Sequence, residues 1–290
     1  MMNLRQSERK RAKIKMALQG SAGSGKTYSS LLLAKGLTNG DFSKVAIIDT
    51  ENGSADLYAH LGQYNVLSLA PPFTPEKYIE AIEVCLKAEM RVIIIDGISQ
   101  CWDELIDFHS KLPGNSFANW SKITPRQKAF VDKILQADAH IIATMRTKQD
   151  YVLNQKDGKY VPEKVGLKAV QRDGVDYEFT LVFDIDSKHF ATASKDRTNL
   201  FSSKPEFKIN SATGKKILDW CNNGLTIDDV KAQIKNCKDL EQLRLLYKQH
   251  YNIKDLEDDF RLQKETIQSK AQLLNPKNFS QNGHTSHTQA

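Results

Sequence analysis

The chain has 290 residues and a formal net charge of +6. This length allows one large domain with a small appendage, which can bury a sufficient core without disulfides or structural metals. The cysteines are widely spaced and match neither a C-x-x-C nor a zinc pattern, which predicts a reduced, cytoplasmic protein without a zinc site. No apolar run approaches the roughly 18 residues of a membrane helix, so no membrane association is expected.

Positive charge is concentrated at the N terminus. Residues 1–15 hold six lysines and arginines against Glu8, and residues 1–12 are predicted to form a basic arm. No hydrophobic region follows, which excludes a signal peptide. A basic arm on a nucleotide-binding core suggests contact with nucleic acid. The alternative is a solvated tail that keeps the protein soluble.

Residues 20–27 match the phosphate-binding pattern G-x-x-x-x-G-K-[ST], and we call them the phosphate loop. Residues 13–18 before the loop are predicted to form a short strand, and residues 28–37 after it a helix. Glycines let successive backbone N–H groups point inward, and the start of the helix adds a partial positive charge. The alternative is a Gly/Ser turn with an incidental lysine. The context favours a site for a nucleoside triphosphate.

Two side chains of the loop are expected to act directly. Lys26 should reach the β- and γ-phosphates, and the Thr27 hydroxyl should ligate Mg²⁺. The predicted ligands are ATP and Mg²⁺. The predicted ATP-binding residues are Gly20, Ser21, Ala22, Gly23, Ser24, Gly25, Lys26, Thr27 and Tyr28.

Acidic residues follow two buried strands. Residues 45–49 form the first, which ends in Asp49 and is followed by Glu51. Residues 91–96 form the second, which ends in Asp96. Ligands of open α/β sheets bind at the carboxyl ends of strands, so Asp96 is expected to hold Mg²⁺ directly or through water. The alternative is that Asp96 only caps the next turn.

Hydrolysis also needs a group that orients or deprotonates water. Many related ATPases place a glutamate directly after the Mg²⁺-linked aspartate, but here that position is Gly97. Glu51 is the favoured base because its longer side chain could reach the γ-phosphate, with Asp49 as the next candidate. The alternative for Glu51 is that it only caps the turn at Asn52.

The remaining elements alternate between helix and strand. The helix opened by Thr74-Pro75 runs to Met90. Trp102 and Trp120 are expected to lie in the core. Further helices are predicted at 57–61, 100–111 and 124–136, the last opened by Thr124-Pro125, and further strands at 65–69 (an edge strand), 140–146, 177–185 and 190–194. The lone histidines, expected to be structural, are His109, His140 and His189.

The alternation predicts an α/β fold, with a mostly parallel sheet and helices on both faces. The predicted ATPase domain spans residues 13–222. A small helical appendage is expected at residues 225–274, where Thr226 begins a possible capping box. The polar residues 275–290 are expected to be a disordered tail.

The long polar stretch of residues 147–173 is a candidate DNA-binding segment. It holds six cations against four acids, contains Tyr151 and Tyr160, and includes a predicted small hairpin around Gly158. Cations neutralise phosphates and aromatic rings stack on bases, a usual combination for single-strand binding. The alternative is a solvated hairpin.

The Ile-Asp-Thr-Glu strand end at residues 48–51 resembles the RecA-type ATPase core, whose catalytic glutamate occupies the position of Glu51. Lys195-Asp-Arg197 resembles the K-x-R hairpin tip of RecA-type hexameric helicases and their relatives. By this resemblance, Lys195 and Arg197 would reach the nucleotide of a neighbouring subunit, and Arg146 or Thr144 would sense the γ-phosphate. The alternative for Arg146 is a salt bridge to a surface acid.

Several segments are also similar to the RecA-like AAA-family ATPases of bacteriophages and prophages: residues 114–117, Trp120, residues 124–126, 142–146 and 170–174. The resemblance covers roughly residues 13–201. It implies a RecA-like P-loop core that forms a ring or filament of identical subunits. It also implies action on single-stranded DNA in recombination, annealing, repair or replication, with a possible partner from those processes.

The leading interpretation is therefore an oligomeric ATPase that acts on single-stranded DNA. A nucleotide-gated adaptor or loader of another DNA protein, with little turnover, is the main alternative. A nucleotide kinase is disfavoured because no Arg-rich lid is evident. A GTP switch is disfavoured because no N-K-x-D element appears.

Overall fold

The computed structural model describes residues 11–156, 159–224, 227–251 and 253–273, without the side chains of residues 149–167 and 271–273. Most of the predicted basic arm and all of the predicted C-terminal tail at residues 275–290 lie outside the described residues. The described chain divides into two compact units, with the boundary between Asn222 and Asn223.

The larger unit, Ala12–Asn222, alternates strands and helices. Its strands are β1 (Lys15–Gly20), β2 (Val45–Asp49), β3 (Asn65–Ser68), β4 (Val92–Asp96), β5 (His140–Lys156), β6 (Lys159–Ala169), β7 (Leu181–Ile185) and β8 (Ala191–Asp196). Its helices are α1 (Lys26–Leu37), α2 (Pro75–Lys87), α3 (Ser99–Ser110), α4 (Ser116–Gln136) and α5 (Ser211–Asn222). Short 3₁₀ helices occupy Phe42–Lys44, Ser54–Leu61 and Val175–Glu178.

In the described part of this unit, the strand order is β3-β2-β4-β5-β1-β7-β8, with β6 paired to β5 outside this row. The neighbours from β3 to β7 pair in parallel, whereas β5–β6 and β7–β8 are antiparallel. This confirms the predicted α/β fold with a mostly parallel sheet. It also brings the carboxyl ends of β1, β2 and β4 to one edge, where the phosphate loop begins and where β5 passes at Arg146.

Both faces of the sheet are covered, because side chains alternate between the faces along each strand. In β1, Met16 and Leu18 belong to the apolar cluster that includes α1 and α5, whereas Ala17 belongs to the opposite one. The opposite cluster contains Tyr78 of α2 and Phe130 of α4, whose rings lie 5.0 Å apart. Because both faces are buried, the central strands have continuous apolar runs in the sequence rather than alternating apolar and polar residues.

Helices α1 and α5 pack in close backbone contact. A Cβ added at Gly36 would lie 2.1 Å from the carbonyl oxygen of Ser211, and one at Gly214 would lie 2.2 Å from that of Leu33. No other residue fits at this crossing without moving a helix. The crossing fixes α1, and with it the helix start that follows the phosphate loop.

The predicted start of α4 is wrong. The helix begins at Ser116 rather than at Thr124, and Pro125 lies inside it. Asn115 caps the true start, since its side-chain oxygen accepts hydrogen bonds from the N–H groups of Phe117 and Ala118. An internal proline removes one backbone hydrogen bond, but the cap and the packing of the buried face hold the helix around it.

Three strand predictions also need correction. β5 does not end at Arg146 but continues to Lys156, and it forms with β6 a hairpin much longer than predicted. β7 starts at Leu181 because the preceding residues form the 3₁₀ helix Val175–Glu178. β8 extends to Asp196, so Lys195 lies within the strand rather than beyond it.

The smaller unit contains α6 (Ile227–Asn236), α7 (Leu240–His250), the 3₁₀ helix Lys254–Leu256 and α8 (Glu257–Leu273). These helices share an apolar cluster that includes Ile234, Leu243 and Phe260. Among the described residues of both units, no helix is long and apolar enough to cross a membrane.

Candidate nucleotide site

The phosphate loop joins β1 to α1 at the carboxyl edge of the sheet. Gly23 and Gly25 have φ of 76° and 90°, in the left-handed region that favours glycine. A Cβ at Gly20 would lie 2.4 Å from the carbonyl oxygen of Ile185 on β7. The loop thus needs glycine at these places, for conformation at two of them and for close approach at the third.

The loop fits a phosphate chain. The Lys26 ammonium donates to the carbonyl oxygens of Gly20 (3.0 Å) and Ser21 (2.8 Å), so the lysine folds back over the loop. Burial lowers the pKa of Lys26, and Asp96 and Glu51 partly raise it again. An anion placed here would favour the charged lysine. The hydroxyl of Ser24 is buried and has no hydrogen-bond partner among the described residues.

Asp96 links the loop to the sheet. Its Oδ2 accepts a hydrogen bond from the Thr27 hydroxyl (2.6 Å), and its Oδ1 accepts one from the Thr144 hydroxyl on β5 (2.5 Å). Burial raises the pKa of Asp96, and these two hydrogen bonds act against that shift. A hydroxyl beside a carboxylate suits Mg²⁺, which binds one or two protein oxygens together with substrate phosphates. Within the described residues, no group of three or more His, Cys, Asp or Glu side chains that could hold a metal ion occurs.

The end of β2 separates the roles of Asp49 and Glu51. Both carboxylate oxygens of Asp49 are occupied by backbone donors, the N–H of Glu51 at 2.6 Å and the N–H of Ala55 at 3.2 Å. Asp49 is therefore the capping acid. Glu51 instead lines the nucleotide cavity and accepts from the guanidinium of Arg146, with Nη2 at 2.7 Å and Nε at 3.3 Å. Its alternative role as the cap of the following turn is not what the geometry shows.

Arg146 is held from both neighbouring elements. Its backbone N–H donates to the hydroxyl of Ser99 at the start of α3 (3.0 Å), and its carbonyl oxygen accepts from the N–H of Val170 just after β6 (2.7 Å). The two sensor candidates thus take different partners, Thr144 binding Asp96 and Arg146 binding Glu51.

A cavity of about 680 Å³ opens beside the loop. Its lining includes Glu51, Asp96 and Arg146 together with Tyr28, Tyr58, Lys208 and Ile209. The rings of Tyr28 and Tyr58 lie 5.8 Å apart and are tilted by 56°. Tyr28, a predicted ATP-binding residue, thus lines the cavity, and the two rings offer an aromatic surface there.

Tyr58, Lys208, Ile209 and His189 are cavity residues that the sequence interpretation missed. The first three have no motif. His189 was expected to be structural, and it lines the cavity with its Nδ1 2.9 Å from the backbone carbonyl oxygen of Ser24. The only sequence signal for His189 was its position between two predicted strands, residues 177–185 and 190–194.

The other two histidines that were expected to be structural, His140 and His109, do not line the cavity. The ring of His140 accepts a hydrogen bond from the N–H of Ile14, and burial lowers its pKa to about 3. His109 stacks on Trp120 with the ring centroids 4.3 Å apart, and Trp102 lies 6.0 Å from the same tryptophan. Both tryptophans are only half-buried, so the expectation that they lie in the core is wrong.

Lys195 and Arg197 do not line this cavity. The Lys195 ammonium donates to the carbonyl oxygen of Tyr177 and lies 5.9 Å from the centre of the Tyr177 ring. Arg197 donates to the same carbonyl oxygen at 3.3 Å. The structure thus separates these two predicted site residues from the phosphate loop of their own chain.

A phosphate loop between the first strand and helix of a mostly parallel sheet, with an aspartate beside its threonine, defines an α/β P-loop NTPase domain. The model of the AAA domain family matches residues 12–232 of this chain. The chain belongs to that family, which indicates nucleotide binding and hydrolysis of the P-loop ATPase type. No curated protein matches the sequence. The closer resemblance to RecA cores and phage proteins stays a prediction.

Proposed function

We propose that this protein hydrolyses ATP in a Mg²⁺-dependent reaction and couples it to single-stranded DNA. In this proposal, Lys26 neutralises the β- and γ-phosphates, and Thr27 and Asp96 hold the metal ion. The ion would offset negative charge on the phosphate oxygens. Glu51 would orient or deprotonate the attacking water, a contribution typically worth about 10²–10⁴-fold in rate.

The Glu51–Arg146 ion pair supports a switch in this proposal. In the present conformation, Arg146 occupies an oxygen of the candidate base. A guanidinium binds phosphate as well as carboxylate. A γ-phosphate would therefore compete for Arg146 and release Glu51 for water, so that hydrolysis starts only when the whole triphosphate is bound.

The observation that carries the DNA part is the continuity of β5. One uninterrupted strand holds Thr144 and Arg146, which contact Asp96 and Glu51, and then becomes the first strand of the β5–β6 hairpin. The hairpin contains most of the cations of residues 147–173. A ligand on the hairpin would act directly on the strand that touches both catalytic acids.

Assembly of identical subunits into a ring or filament belongs to the same proposal. Lys195 and Arg197 lie away from the nucleotide cavity of their own chain, and both are bound to Tyr177. If these cations act on a nucleotide, they act on that of a neighbouring subunit. The second unit, with α6 to α8, would then be free to bind another recombination or replication protein.

The test measures steady-state ATP hydrolysis with and without single-stranded DNA. The triple variant Lys156→Ala, Lys159→Ala and Lys164→Ala should bind this DNA about tenfold or more weakly and show a flatter salt dependence, because fewer counterions are released. Its hydrolysis without DNA should equal that of the wild type. A matched control removes three lysines with exposed side chains elsewhere in the larger unit: Lys35, Lys111 and Lys128.

Equal DNA affinity and salt slope in the triple variant and the wild type would exclude the hairpin, and the basic arm would become the candidate. If DNA binds but never raises the hydrolysis rate, the alternative function is favoured. That alternative is a nucleotide-gated adaptor or loader, in which the Glu51–Arg146 pair keeps turnover low. A nucleotide kinase would instead transfer phosphate to an added nucleotide.

A further inference from the structure

The turn between β7 and β8 reaches the phosphate loop from the side opposite the catalytic acids. Asp186 fixes this turn, since its Oδ1 accepts from the N–H groups of Lys188 (2.9 Å) and Phe190 (2.8 Å). The backbone N–H of His189 donates to the carbonyl oxygen of Asp186 at 3.1 Å. The turn is thus a built element, and His189 has one defined position.

His189 adopts an uncommon backbone conformation in that position. Its φ is 69°, in the left-handed region that few residues other than glycine adopt, although histidine, asparagine and aspartate are enriched there. Its ring packs on Gly25, where an added Cβ would lie 3.1 Å from Nδ1. The backbone conformation and the glycine together place the imidazole directly on the phosphate loop.

The contact assigns the ring's hydrogen. Nδ1 lies 2.9 Å from the carbonyl oxygen of Ser24, and a carbonyl oxygen only accepts, so Nδ1 carries a proton and donates it. Ser24 is fully buried in the middle of the loop. The carbonyl oxygen of Ser24 and the N–H of Gly25 belong to one planar peptide unit. A donor that holds this oxygen therefore also fixes the direction of the Gly25 N–H.

We propose that His189 is a positioning residue for phosphate binding, which holds the phosphate loop in the conformation that presents its N–H groups to the phosphates. The proposal deepens the nucleotide-binding part of the proposed function and does not depend on DNA or on hydrolysis. Without this donor, the loop occupies its binding-competent conformation for a smaller fraction of the time, and apparent affinity falls by that fraction. The ligand concerned is the polyphosphate group, whatever nucleoside carries it.

Three substitutions separate the hydrogen bond from the backbone strain. His189→Ala removes the donor and keeps an unfavourable left-handed residue. His189→Gly removes the donor and relieves the strain. His189→Asn keeps a donor, since its amide nitrogen is bonded to Cγ as Nδ1 is, and asparagine tolerates positive φ.

Calorimetric titration of the full chain with Mg²⁺–ATP and, separately, with Mg²⁺–tripolyphosphate tests the proposal, without DNA. The dissociation constants of the Ala and Gly variants should rise for both ligands by the same factor, about 3- to 10-fold for one hydrogen bond. The Asn variant should stay within about 2-fold of the wild type. Thermal melting of each variant checks folding, and the Gly variant keeps the test valid if the Ala variant is unstable.

Three results would overturn the proposal. Wild-type affinity in His189→Gly would mean that the ring adds nothing to the loop. Weaker ATP binding with unchanged tripolyphosphate binding would make His189 a nucleoside contact instead. An Asn variant as weak as the Gly variant would show that the donor at this place is not the cause. A wild-type protein without DNA-stimulated hydrolysis would contradict the proposed function and leave these binding results unaffected.

Discussion

The two sides of the phosphate loop are built differently. On one side, the ends of β2 and β4 and the middle of β5 bring Glu51, Asp96 and Arg146 into the cavity through direct side-chain contacts. On the other side, Ile185 of β7 and His189 of the β7–β8 turn contact the loop, whereas Lys195 of β8 donates to Tyr177.

The two sides thus differ in which side chains line the cavity. Glu51, Asp96 and Arg146 line the cavity of their own chain. On the β7–β8 side, Ile185 and His189 contact the loop, and Lys195 and Arg197 donate to Tyr177 instead. The comparison predicts that substitutions on the two sides will differ in whether a second subunit can compensate for them.

The largest effect is expected at Lys26, which lies in the phosphate loop itself. Lys26→Ala should reduce hydrolysis to background and weaken ATP binding by roughly 10²–10⁴-fold, because charged hydrogen bonds contribute about 1.5–3 kcal/mol each. Lys35→Ala, an exposed lysine on the same helix, is the matched control. Turnover in Lys26→Ala equal to that of the control would contradict the phosphate-loop assignment.

Lys195→Ala and Arg197→Ala test the β7–β8 side. Each should bind ATP normally yet lose hydrolysis by about 10³-fold or more, since cations supplied by a neighbouring subunit stabilise the transition state. Mixing either variant with Lys26→Ala protein should restore part of the activity, because some mixed interfaces pair an intact loop with intact cations. Hydrolysis by a strictly monomeric protein, or no rescue at any mixing ratio, would rule out action between subunits.

Glu51→Gln tests the β2–β4–β5 side. This variant should keep ATP binding and lose hydrolysis by about 10²-fold or more, because an amide cannot accept the proton of water. Mixing it with Lys26→Ala protein should not restore hydrolysis. Lys26 and Glu51 line the cavity of one chain, and neither variant has both residues intact. Asp49→Asn is the comparison variant and should mainly lower stability, since Asp49 caps the turn. Wild-type turnover in Glu51→Gln would move the base elsewhere.

Much of the fold was predictable from the sequence because its signals are local. The apolar runs of residues 45–49 and 91–96 predict buried parallel strands, and Pro75 after Thr74 marks a helix start that the structure confirms. The phosphate loop needs glycines and a lysine at fixed spacing, and it lies where the motif places it. Asp96 was predictable because strand ends of a parallel sheet meet at one edge.

Other features depended on contacts between distant parts of the chain. Pro125 signals a helix start locally, but the Asn115 cap and burial of the helix face decided otherwise. The sequence favours Glu51 over Asp49 only through its longer side chain. The turn that follows β2 assigns Asp49 to capping and leaves Glu51 to line the cavity.

By itself, the sequence determined a P-loop α/β domain, its candidate phosphate-binding residues and the candidate acids, because each depends on residue type at short spacing. Only the tertiary structure decided that Arg146 pairs with Glu51 and that His189 contacts the phosphate loop. The physical reason is that these contacts join residues 95 and 165 positions apart. At such separations, the order of strands in the sheet selects the partner, and no local pattern records it.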